Sequence, residues 1–409
     1  MSYNIMKQRL DAGEVIVLDG GTGTELERRG VAMSPEAWCG PATLGNAELL
    51  TQIHLDYINA GSDVITANTY AANSMMLNPA GYGDKIEEIV KTAVDAALRA
   101  RDKAPAGRNV VVGGSLSHMV PLNPGTDTVD LVRTPPPAQI AESFHQLAQL
   151  LKAGGVDHIM LEMMYEENRT AMALQAALDT GLPVWFGVAA RRNDAGKIIS
   201  FNLAQESPLE AVLDLIPEKG VDVVSVMHTQ PQVVSDTVAM VRKKFSGPIG
   251  AYPDSGYFEM PNWNFTEVIP AEKLEGFYAE WLAMGVQLIG GCCGTTPEHM
   301  KAVVDAVHGV NLERREINQE YGASSLYQFA PFRQQNTYLS IGERTNANGS
   351  RAFRDALLAQ DWQGCVEIAR DQIRDGAHML DLSVDYVGRD GVADMKELAF
   401  RFATTSTLP

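Results

Sequence analysis

Short β-branched runs alternate with longer amphipathic stretches through the first three hundred residues, and the alternation repeats eight times without interruption. The strand-like runs are VIVLDG (15–20), DVITANT (63–69), VVVGGS (110–115), HIMLEM (158–163), VWFGVAA (184–190), DVVSVM (222–227), IGAYPD (249–254) and LIGGCC (288–293). Between them, stretches such as EEIVKTAVDAALRARD and PLEAVLDLI carry apolar residues every three or four positions, the helical period. Strands that are apolar on both faces and alternate with helices require a parallel sheet covered by helices. Eight such units make an α/β fold, and a (β/α)8 TIM barrel accommodates them over residues 1–308. A doubly wound open sheet is the other arrangement that eight strands allow.

After Ala306-Val307-His308 the pattern stops, and a polar stretch expected to be a linker (309–337) leads into a second one. YLSIGE (338–343) and HMLDLSVD (378–385) look like strands, separated and followed by helix-like segments. Two parallel strands cannot cover their own faces and edges. Residues 338–409 are therefore expected to be an incomplete β/α segment, the start of a longer protein in preference to one that packs on the barrel or pairs with another chain.

Charge and cysteine usage narrow the function. Lys and Arg number 33 against 51 Asp and Glu, a formal net charge of −18 that repels nucleic-acid backbones and anionic membrane surfaces. No signal peptide opens the chain and no run of 18 apolar residues crosses it, so a cytoplasmic location without membrane association is expected. The four cysteines, Cys39, Cys292, Cys293 and Cys365, are too few and too oddly spaced for a disulfide framework. The adjacent pair is either buried packing or a soft-metal site.

In a TIM barrel, reactive groups sit where strands end at their carboxyl side. Those ends carry Asp19-Gly20-Gly21, Asn68-Thr69, Gly114-Ser115, Glu162, Met227-His228 and Gly290-Gly291-Cys292-Cys293-Gly294. Neighbouring residues on a regular strand face opposite ways, so Cys292 and Cys293 can share an ion only if the backbone leaves β geometry, which the flanking glycines permit. With His228 the set is Cys2His, the three-ligand arrangement of catalytic zinc with one position open. Core packing for the cysteines and a hydrogen-bonded loop role for His228 remain the alternative from spacing alone.

GGCCGTTPEH (290–299), LDGGTGTEL (18–26), ITANTY (65–70), GGS (113–115), LE (161–162) and AYPDSG (251–256) together resemble the zinc-dependent homocysteine S-methyltransferase family over about residues 10–308. SIGERTNANGSRAF (340–353) and DQIRDGAHMLDLSVD (371–385) look like the opening of a pterin-binding barrel, as in cobalamin-dependent enzymes that pair the two barrels in this order. The resemblance implies a Zn2+ site of three cysteines completed by the substrate thiol, with two of them at Cys292 and Cys293. His228 stands at the third position, so a site with bound thiolate would carry a charge of −1 where three cysteines would leave −2. It implies a homocysteine-binding rim of Asp19, Gly20, Gly21, Asn68, Ser115 and Glu162, and pterin contacts at Glu343, Asn346, Asp381 and Asp385. The chain departs from the family pattern at Thr66-Ala67, where Glu-Thr is often found, at Asp254, where Asn is usual, and at Ser383, which replaces Asn.

These features lead to the expectation of a zinc-dependent thiol S-methyltransferase that converts homocysteine, or a related thiol, to methionine. The methyl source would be methylcobalamin or methyltetrahydrofolate, reached through further domains or a corrinoid protein partner, since no DxHxxG cobalamin motif occurs here. The fragmentary second segment is expected to bind folate negligibly by itself. Two rivals stand beside this reading: a zinc enzyme of the same fold with a different substrate because of His228, and a non-catalytic subunit that binds a corrinoid protein or folate. His118 and His299, although close to matched motifs, are not assigned as ligands.

Overall fold

A computed structural model describes residues 2–307, 310, 321–334 and 338–409. The chain divides into two compact units, Met1–Arg315 and Glu316–Pro409. Much of the expected linker, residues 311–320 and 335–337 included, lies outside the described residues.

The first unit is a parallel barrel. Its strands are β1 (Ile16–Val17), β2 (Val64–Ala67), β3 (Val111–Ser117), β4 (His158–Met164), β5 (Val184–Val188), β6 (Val221–Met227), β7 (Ile249–Tyr252) and β8 (Leu288–Ile289). Each pairs in parallel with its neighbours from β2 round to β8 and back to β1, and a parallel bridge from Leu18 to Val64 links the two ends of the sheet. The eight expected strands are the eight observed, and the closed order excludes the open doubly wound sheet.

The two-residue alternation of strand side chains explains why these runs are apolar throughout. Ile16, Leu18, Val64, Val111, Met160, Trp185, Val223 and Leu288 point into the lumen and form one buried cluster. Their sequence neighbours Val17, Ile65, Val112, Ile159, Phe186, Val224 and Ile289 point outward beneath the helices and belong to another. The lumen cluster is completed from below by Met6 and Leu10 of helix α1 (Ser2–Asp11), which precedes the barrel. Tyr3 anchors that helix: its hydroxyl donates to Asp222 (2.7 Å) and accepts from Trp185 Nε1 (2.8 Å).

Two antiparallel hairpins interrupt the regular alternation after β5 (Ala190–Arg192 with Ile198–Ser200) and after β7 (Tyr257–Glu259 with Asn262–Asn264). Among the described residues, no helix is long and apolar enough to cross a membrane.

The second unit contains β9 (Ile341–Gly342) paired in parallel with β10 (Met379–Leu380), and helices over Arg351–Leu358, Trp362–Arg374 and Gly391–Thr405. Phe353, Leu357, Cys365, Val366, Leu398 and Phe402 form its small core. A hairpin of Gly322–Ser324 with Phe329–Pro331 also belongs to it, within the stretch read from sequence as a linker with some helical content.

Candidate metal centre

The cysteine run begins where β8 stops. The strand ends at Ile289, and Cys292 and Cys293 lie in the turn that follows, with Cys292 N donating to Pro253 O (2.7 Å) and Ser255 N to Cys293 O (2.8 Å). Gly294 makes the turn possible. Its φ is +77°, and a Cβ there would lie 1.6 Å from the Ser255 carbonyl oxygen. Gly21 approaches from the β1 side so closely that its Cβ would meet Cys292 O at 2.8 Å and Cys293 Cα at 2.9 Å. Released from strand geometry, the two sulfurs turn to the same side and stand 3.9 Å apart.

His228 follows the last residue of β6 with a φ of +43°, unusual for a residue with a side chain. Thr229 fastens this corner by donating to Met227 O (2.8 Å) and accepting from Ala190 N (3.0 Å). The imidazole lies edge-on between Phe201 (ring centroids 5.0 Å apart) and Trp263 (6.2 Å). Phe201 immediately follows the first hairpin and Trp263 lies in the second, so each insertion brings one aromatic ring to the imidazole.

One donor atom each from His228, Cys292 and Cys293 lies within 4.8 Å of the others. Two sulfurs at about 2.3 Å from a tetrahedral zinc ion stand about 3.8 Å apart, close to the spacing present here. Contact with Cys293, then with His228, holds the Cys292 thiol well below its ordinary pKa against the opposing effect of burial. Burial would lower His228, but Cys292 and then Asp254 lift it to about 9. Two sulfurs and one nitrogen of this kind are a donor set that suits zinc.

The expected substrate rim surrounds this point. Asp19, Gly20, Gly21, Asn68, Ser115 and Glu162 all line one cavity with Cys292, Cys293 and His228. Asp19 accepts from Thr66 N (2.6 Å) and Thr66 Oγ1 (3.0 Å), and burial pushes its carboxyl up to about 7. Glu162 accepts from Ser115 Oγ, and burial, reinforced by the Cys292 charge, raises it to about 8. Met163, next in sequence, has a φ of +61° where the β4–β5 register shifts, and this bulge aims Glu162 inward. Asn68 is more committed to structure: its amide donates to Cys39 O and Thr43 Oγ1, both at 3.1 Å.

Several lining residues escaped the sequence reading. Trp38, Tyr70, Tyr165, Tyr252, Phe258 and Trp263 supply aromatic walls. Asp127, raised to about 6 by burial, also faces the cavity. The unusually long connection between β3 and the helix starting at Pro137, which carries Asp127, was a signal available in the sequence, since barrel loops of that length are commonly functional. His118 lines the cavity without joining the sulfur–imidazole set, and its Nε2 accepts from Tyr165 N (2.9 Å). His299 is tied to Thr296 and the Ile269 carbonyl.

In the second unit Asn346 and Asp381 meet, with Asn346 Nδ2 donating to Asp381 Oδ2 at 3.0 Å. Glu343 and Asp385 are exposed.

Comparison with known proteins places this geometry in a family. The family described as homocysteine S-methyltransferase matches residues 16–307, and that described as pterin binding enzyme matches residues 342–405. Methionine synthase of Mycobacterium tuberculosis is 34% identical over 97% of this chain and 33% of its own length. Selenocysteine Se-methyltransferase of Brassica oleracea var. italica is 27% identical, covering 79% of this chain and 96% of that protein. The crystal structure of the homocysteine methyltransferase MmuM from Escherichia coli in its metallated form superposes with a TM-score of 0.56 and 21% identity over 73% of this chain and 98% of that one, a likeness of fold. The chain spans about a third of the length of the methionine synthases it matches. With a profile match that runs from the first barrel strand to the helix after the cysteine pair, the chain belongs to the homocysteine S-methyltransferase family.

Proposed function

We propose that the barrel unit, residues 1–308, is a zinc-dependent S-methyltransferase that methylates homocysteine to methionine. The observation that carries this reading is the convergence of Cys292, Cys293 and His228 at the carboxyl end of a closed barrel, with the sulfurs 3.9 Å apart. When bound there, zinc supplies the positive charge that keeps a thiol deprotonated at neutral pH, where a free thiol is only a few per cent thiolate.

The protein groups supply binding and orientation. Asp19 and Glu162 present carboxylates to the substrate ammonium, whose positive charge would draw both buried groups into their ionised forms. Ser115 orients Glu162, and Thr66 orients Asp19. Backbone amides near Gly20, Gly21 and Ser115 suit the substrate carboxylate. The aromatic walls displace water around the reacting sulfur, which strengthens each of these charge contacts. The methyl source in this reading is methylcobalamin or methyltetrahydrofolate, delivered through further domains or a corrinoid partner. Residues 338–409 then form the first part of a pterin-binding unit, with 309–337 as the connection. A cytoplasmic setting keeps the thiols reduced.

X-ray absorption at the zinc edge, with and without homocysteine, tests the proposal. The expected result is a site with two sulfurs and one nitrogen that gains a third sulfur when homocysteine is added. Zinc that keeps an oxygen ligand in saturating homocysteine would favour a hydrolytic zinc enzyme instead, and would refute the assignment.

A further inference from the structure

His228 has a neighbour whose environment the function above does not use. Asp254 lies just beyond β7, its side chain nearly buried, with Oδ2 3.9 Å from His228 Nδ1. No Lys or Arg forms an ion pair with it among the described residues, and the His228 ring nitrogen is the group it faces. Phe201 and Trp263 pack edge-on against the ring, and Nδ1 is the ring nitrogen that faces the carboxylate. A metal-bound imidazole commonly donates its other N–H to a carboxylate, which fixes the tautomer and strengthens the ligand.

We propose that Asp254 is the positioning residue of the metal centre: its carboxylate, facing Nδ1 of His228 at 3.9 Å, favours the tautomer protonated there and so presents the Nε2 lone pair to the ion beside the two sulfurs. The inference rests on the metal-site reading above.

The test is zinc affinity by chelator competition in Asp254→Asn and Asp254→Ala, each made in the native chain and in a His228→Cys background. With His228 present, Asp254→Ala is expected to weaken zinc binding 10- to 100-fold and Asp254→Asn by less. With cysteine at 228 neither change should exceed about threefold, because no ring remains to be oriented. Nitrogen-15 NMR of the zinc-loaded native protein should find the His228 ring protonated at Nδ1. Equal losses in both backgrounds would mean a general structural role and overturn the proposal, as would unchanged affinity or a ring bound through Nδ1. If Asp254→Ala does not fold, Asp254→Asn carries the comparison. A native chain that takes up no zinc refutes the metal-site reading itself, whereas zinc uptake with indifferent Asp254 variants refutes only the partnership.

Discussion

Gly294→Ala puts the geometry of the cysteine turn to a quantitative test. The added Cβ would start 1.6 Å from Ser255 O, and such contacts are essentially never shorter than 3.0 Å, so the turn or its neighbour must move by at least about 1.4 Å. The obstructing atom is backbone, held by the hydrogen bond from Ser255 N to Cys293 O, and no side-chain rotation can relieve it. The left-handed conformation alone costs a non-glycine residue about 1–2 kcal/mol. With the clash added, the barrel should lose at least about 3 kcal/mol, a fall in Tm of about 4 °C or more. Because ligand geometry tolerates about 0.5 Å, zinc affinity should fall by about 100-fold or more. Gly30→Ala is the control: its φ is +92°, yet nothing lies within 4 Å of the added carbon. It should cost only the conformational part and leave zinc binding unchanged. Calorimetry and chelator competition on both variants separate the contributions, and a Gly294→Ala protein with native Tm and zinc affinity would refute the reasoning.

Thr66→Val removes the hydroxyl that donates to Asp19, leaving the backbone amide as its remaining Thr66 contact. Loss of a hydrogen bond to the charged form should raise the Asp19 carboxyl further above about 7, visible by carbon-13 NMR titration, and a downward shift would contradict the assigned bonding. Glu162→Gln should weaken homocysteine binding about 10- to 100-fold in calorimetry at unchanged zinc content, as a charged contact worth about 1.5–3 kcal/mol is lost. His158, buried against Trp185, has its folded-state pKa lowered from 6.5 to about 3 by burial. The unfolded chain therefore binds the extra proton first, and stability present above pH 6.5 is lost as the pH falls toward 3. His158→Phe should reduce the slope of unfolding free energy against pH by about 1.4 kcal/mol per unit between those limits. An unchanged slope in urea titrations followed by tryptophan fluorescence would place that histidine's titration elsewhere.

The barrel was legible because its strands are short, β-branched and apolar on both faces, so continuous runs such as VIVLDG and DVVSVM stand out between helical stretches of three-to-four-residue period. The two hairpins were not. Ala190–Arg192 continues directly from an apolar strand, and the Tyr257–Asn264 hairpin is short, so neither leaves a periodic signature of its own. Phe201 and Trp263 were missed as neighbours of His228 for that reason. Asp254 was visible only as an unusual residue in a matched motif, because its 3.9 Å approach to Nδ1 is a product of the turn after β7 and the corner after β6 meeting in space. The strain at Met163 and His228 was equally hidden, since neither residue type advertises a positive φ.

Helix α1 closes the barrel from beneath, with Met6 and Leu10 driven into the same cluster as the inward strand residues and Tyr3 latched to Asp222 and Trp185. The cavity is thus a cul-de-sac. In the proposed reaction, acceptor and methyl donor would then share the approach from the carboxyl ends of the strands, with the acceptor's ammonium seated on the inner carboxylates Asp19 and Glu162.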